Sequence, residues 1–92
     1  MKLVINVCYG GYGLSEEAEA LLGGEEEAYE YERNDERLIE VVEELGTERA
    51  SGDYAELKVV ELPENTTDYY INKYDGLESV LYVVDGKIHW VL

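Results

Sequence analysis

Residues 68–92 read DYYINKYDGLESVLYVVDGKIHWVL, with two Asp-Gly dipeptides, Asp75-Gly76 and Asp85-Gly86, each between runs rich in tyrosine, valine, isoleucine and leucine. Asp-Gly readily supplies the positive φ that two-residue hairpin turns need, so the stretch predicts two consecutive hairpins and an antiparallel three-stranded meander.

Just upstream, YAELKVVELP at 54–63 predicts another strand, with Ala55, Leu57 and Val59 on one face and Val60 and Leu62 on the other, closed by Pro63 and the polar residues after it. Before it, Asn34-Asp35 can cap a helix whose apolar stripe is Leu38, Ile39, Val41, Val42 and Leu45, with Gly46 as its stop. Ser15 caps a shorter helix: Glu16 and Glu17 complement its dipole, Leu14, Ala18, Leu21 and Leu22 form its stripe, and Gly23-Gly24 ends it. KLVINVC at 2–8 is apolar on both alternating sets, as in a central strand covered on both sides. Residues 25–32, EEEAYEYE, fit an exposed strand, a helical turn or a charged loop equally well.

The fold class is therefore α+β with an α/β-like start, in the order β-α-α-β-β-β-β. One mixed sheet is expected: the first strand parallel to a later one across the helices, both helices on one face, and the other face wet and tyrosine-rich or covered by a partner. A single domain is expected from the 92 residues, a length for which self-association adds useful burial.

The formal net charge of -15 repels nucleic acid and membrane surfaces and favours basic protein partners. One cysteine permits no internal disulfide, and no stretch suits a signal peptide or a membrane span, so a reduced cytoplasmic setting is expected. No calcium-loop pattern organises the 22 acidic residues, and neither a metal nor a cofactor is expected. A thiolate nucleophile would need Cys8 beside His89, the lone histidine, in neighbouring strands; without a third orienting group an enzyme is not expected.

The turn CYGGY joins a strand end to a helix N-terminus, a common place for ligands in α/β proteins, but its spacing matches neither a P-loop nor a dinucleotide fingerprint. Glu16 and Glu17 also place like charge where a phosphate would sit. Arg33 and Asp35, in RND, read as a local ion pair or cap.

The blocks INVCYGGYGLSEEA, RNDERLIEVVEELG, ASGDYAELKVVELP and YYINKYDGLESV together resemble a widespread family of small uncharacterised proteins of bacteriophages and prophages. The resemblance runs from about Val4 to Val80. Glu36 stands where the family pattern has proline, and the tail LYVVDGKIHWVL departs from the shorter, more charged endings. A phage context implies a non-enzymatic counter-defence role in the host cytoplasm.

Two functions fit. In the leading one a homo-oligomer sequesters a nucleotide-like immune signal: Tyr9 and Tyr12 stack on a base or ribose, Gly10 and Gly11 offer amides, and Arg33 or Lys73 neutralises phosphate. In the other, an acidic inhibitor or DNA mimic engages a basic host protein through the Glu-rich faces of residues 25–44, with Glu40, Glu43 and Glu44 in contact.

Overall fold

A computed structural model of the chain describes residues 1–24 and 31–91. The stretch at 25–32 that the sequence leaves open falls mostly outside these residues. The element order is β1 (Lys2–Asn6), α1 (Glu16–Leu21), α2 (Glu36–Ala50), β2 (Leu57–Glu61), β3 (Thr66–Tyr74), β4 (Leu77–Val84) and β5 (Lys87–Val91), an α+β fold in the predicted order.

The helix caps follow the sequence closely. Ser15 Oγ accepts the Ala18 N–H at the start of α1, and Asp35 Oδ1 accepts the N–H groups of Arg37 and Leu38 at the start of α2. Gly46 breaks the helix as expected, with φ 81°, but it does not end it. One further turn, 47–50, delivers Ala50 into the core and brings the end of α2 beside the start of α1, where Ser15 N–H donates to the Ala50 carbonyl at 2.8 Å.

That return explains the principal departure from expectation. Two successive helices carry the chain away and back, so β2 begins where β1 ends and must run antiparallel to it, with Asn6 opposite Leu57 and Lys2 opposite Glu61. No parallel pair forms between β1 and β2. Instead of one mixed sheet, the described residues form two antiparallel sheets, β1-β2 and β3-β4-β5.

Alternation then assigns each face of the small sheet. Val4 and Leu57 join Ala18, Leu22, Leu38, Val41, Val42 and Ala50 in a core beneath both helices. Leu3, Ile5, Val60 and Leu62 point the other way, onto Val80 with Tyr69, Ile71 and Tyr82 of the meander. Both faces of β1-β2 are thus covered by the chain itself. The layer that sequence alone left to a partner or to water is the folded-back meander, and the architecture is helices, two-stranded sheet, three-stranded sheet.

Both Asp-Gly turns adopt the expected conformation: Asp75 and Gly76 have φ of 49° and 86°, Asp85 and Gly86 of 51° and 75°. Positive φ at both central residues matches the right-handed twist of the strands they join. Among the described residues no helix is long and apolar enough to cross a membrane.

Candidate functional site

Within the small sheet, the odd-numbered residues of β1 and its flanks bond to β2 and its flanks, as in Val7 N–H to the Glu56 carbonyl at 2.8 Å. Its even-numbered residues face an edge with no strand beside it among the described residues. That edge is closed by Arg33 and Glu78. Val4 N–H donates to the Arg33 carbonyl (2.9 Å), Arg33 Nη1 donates back to the Val4 carbonyl (3.1 Å), and Asn6 N–H donates to Glu78 Oε1 (2.8 Å). An unpaired strand edge buried without such partners would be costly, and an exposed one would invite pairing with other chains.

Arg33 and Glu78 also meet head on. Nη1 lies 2.5 Å from Oε1 and Nη2 2.8 Å from Oε2, a bidentate pair with side chains 16% and 1% exposed. Burial alone pushes the Glu78 carboxyl up. The hydrogen bonds from Arg33 and from Asn6 N–H, with the charges of Arg33 and Lys73, outweigh this and hold it below the usual carboxylate range. Lys73 Nζ, itself largely exposed, approaches Oε2 at 3.7 Å. Arg33 pairs across the molecule with Glu78 rather than locally with Asp35, because Asp35 spends its carboxylate on the α2 cap.

The Tyr12 ring lies 3.7 Å from the Arg33 guanidinium carbon. Burial raises its hydroxyl above the ordinary tyrosine value, an effect that the Arg33 charge partly offsets. The hydroxyl finds no hydrogen-bond partner among the described residues.

Asn6, fully buried, ties the same end together. Its Nδ2 donates to the carbonyls of Cys8 (3.0 Å) and Gly76 (2.7 Å), and its Oδ1 accepts the Glu56 N–H (2.7 Å). The glycine turn packs against this network by backbone contact. A Cβ on Gly10 would run into the Tyr54 carbonyl, and one on Gly76 would lie 2.8 Å from the Gly11 nitrogen. Gly10 N–H donates to the Asp75 carbonyl at 3.2 Å.

All six small-ligand residues named from the sequence therefore gather at one end of the molecule. Arg33 and Tyr12 face inward, Gly10 and Gly11 pack on the β3-β4 turn, and Lys73 leans on Glu78. Tyr9 is exposed, in edge contact with Tyr74 at 6.5 Å between centroids. A cavity of about 410 Å³ opens beside them, lined by Val7, Asn72, Tyr74, Leu77, Glu78 and Ser79, so among the described residues its charged lining group is an acid.

Glu78 and Asn6, the centre of the network, escaped the sequence reading. Both left a signal: Glu78 is in phase with Val80 and Tyr82 on the inward face of β4, and Asn6 interrupts an apolar run. Cys8 lies in the bend after β1 and His89 on β5, in the other sheet. The Cys8 thiol donates to the Tyr54 carbonyl at 3.4 Å, and His89 stacks on Tyr82 with centroids 5.2 Å apart.

The acidic face is built separately. Glu36, Glu40 and Glu43 of α2 rim a depression of about 360 Å³ that also touches Met1, Lys2 and Ile39. Lys2 Nζ pairs with Glu43 at 3.0 Å, both side chains being substantially exposed. Glu40 and Glu44 are exposed and make no ion pair among the described residues. Comparison of the chain with protein-family models, with curated proteins and with solved structures finds no match.

Proposed function

We propose that this is a non-enzymatic accessory protein that acts by binding a basic protein through the acidic outer face of α2. The observation that carries the reading is the state of Arg33. Arg33, the buried cation of the glycine-turn end, is neutralised bidentately by Glu78, and Lys73 leans on the same carboxylate, so an anionic nucleotide there would have to compete with an internal carboxylate for both cations. The acidic depression on α2 has no such obstacle. Its resident Lys2–Glu43 pair is exposed and screened by solvent, and a partner's lysine or arginine can take the place of Lys2. Ile39 in the depression suits the apolar stem of such a side chain.

The phage resemblance makes a host defence or DNA-binding protein the natural target, with the carboxylates standing in for DNA phosphates. Calorimetry with cyclic nucleotides and ADP-ribose derivatives is expected to give no saturable heat. Micromolar binding of any of them would overturn the reading in favour of a sequestered small ligand. In parallel, the Glu40→Lys/Glu43→Lys/Glu44→Lys variant should lose capture of its host partner at low salt; capture equal to wild type would remove this face from consideration.

A further inference from the structure

The meander has a second face that no other described element covers. In the β3-β4-β5 register, Tyr70, Leu81 and Trp90 form one row across the three strands, Asp68, Val83 and Ile88 form the next, and Tyr74 pairs with Leu77 near the first turn. Tyr70 is 67%, Ile88 66% and Trp90 60% exposed, and a shallow apolar groove of about 320 Å³ runs between Tyr70, Leu81, Val83 and Ile88. Among the strand residues of this face only Asp68 carries a charge, in a chain of net charge -15.

We propose that this face pairs two copies of the chain, sheet against sheet. Area is the first argument. Tyr70, Tyr74, Ile88 and Trp90, with the half-buried Leu77, Leu81 and Val83, offer on the order of 600 Å² per copy, at the upper end of what monomers leave exposed and near the ~800 Å² per partner of a standard interface. Charge is the second. A basic partner gains nothing on a face nearly free of carboxylates, whereas a like-charged copy needs that neutrality. The layer order is the third: the helices lie across β1-β2 from the meander, so face-to-face pairing turns the two acidic α2 faces away from each other. Sheets stacked about 10 Å apart with interleaved side chains satisfy a two-fold contact in which each copy uses the same patch. The dimer then displays two α2 faces outward.

Trp90 is the only tryptophan, so its emission reports directly on this contact. Sedimentation equilibrium of the full chain is expected to show twice the 10.5 kDa chain mass, with Trp90 emission moving to shorter wavelength as concentration rises. Raising NaCl from about 0.05 to 0.5 M should strengthen the association by screening the repulsion between copies; binding through the α2 face should weaken with the same salt. Ile88→Lys, which keeps the tryptophan on an exposed position, should weaken self-association by about 100-fold or more, and Tyr54→Lys, exposed elsewhere, should not. A chain that is monomeric at 0.2 mM in high salt with fully water-exposed Trp90 emission would overturn the proposal. So would a dimer that Ile88→Lys leaves intact. Should Ile88→Lys fail to fold by circular dichroism, the concentration and salt series on wild type still decide the matter.

Discussion

Replacing Glu78 by glutamine keeps the side-chain shape and removes the charge that faces Arg33. In the native chain Glu78 is 1% exposed and accepts two hydrogen bonds from Arg33 and one from Asn6 N–H. Removing one partner of a buried pair costs about 3–5 kcal/mol, since the other charge stays desolvated. Arg33 retains the Val4 carbonyl and the Tyr12 ring, and the glutamine oxygen can still accept the Asn6 N–H, so the lower end, about 3 kcal/mol, applies. Against a total of roughly 5–14 kcal/mol for a chain of this length, that loss is large and corresponds to a fall in Tm of roughly 12–24 °C. Urea unfolding followed by circular dichroism should show a lower midpoint at unchanged slope. Arg33→Met should cost a similar amount, and the double variant should lose about 2–3 kcal/mol less than the sum of the singles, because the stranded charge is gone. A Glu78→Gln chain within about 0.5 kcal/mol of wild type, or strict additivity in the cycle, would refute the view that this pair closes the edge of β1.

The same carboxyl gives a pH signature. Because its folded pKa lies below the ordinary 4.5, its contribution is fully present above pH 4.5 and is lost as the pH falls through the folded value, so the stability gap between wild type and Glu78→Gln should close on acidification; a gap constant down to pH 2 would contradict the assignment. Gly76→Ala and Gly86→Ala carry similar positive φ, yet only Gly76 abuts the Gly10-Gly11 backbone; the first should lose roughly 2–4 kcal/mol and the second about 1 kcal/mol, and equal losses in urea titrations would mean that the turn contact carries no energy. Asn6→Ala strands the Glu56 N–H and the Cys8 and Gly76 carbonyls and should lower stability by roughly 3–5 kcal/mol, with a loss under about 1 kcal/mol counting against the network.

Local chemistry made much of this protein legible from its sequence. The Asp-Gly turns, the Ser15 and Asp35 caps and the two-faced apolar pattern of β1 each depend on a few adjacent residues, and each is found where the pattern places it. The opposing faces of β2 were equally readable, since alternation along a strand needs no knowledge of what lies opposite. What sequence alone could not decide was which segments meet. The direction of β2 follows from α1 and α2 running out and back, a fact of packing that no residue encodes by itself. Covering the second face of β1-β2 with the meander rather than with a partner follows from the link at Pro63 and from burial of Val80. Arg33 looked free or paired with Asp35 because its true partner lies 45 residues away, and only the folded chain brings Glu78 to the open edge of β1. The sequence by itself determined the elements, their caps and most of their apolar faces, because these rest on short-range sterics and hydrogen bonds; Leu21, expected in the α1 stripe, is instead 47% exposed. Tertiary structure decided the pairing, the neutralised cation and the apolar sheet face left exposed, because each depends on contacts between residues far apart in the chain.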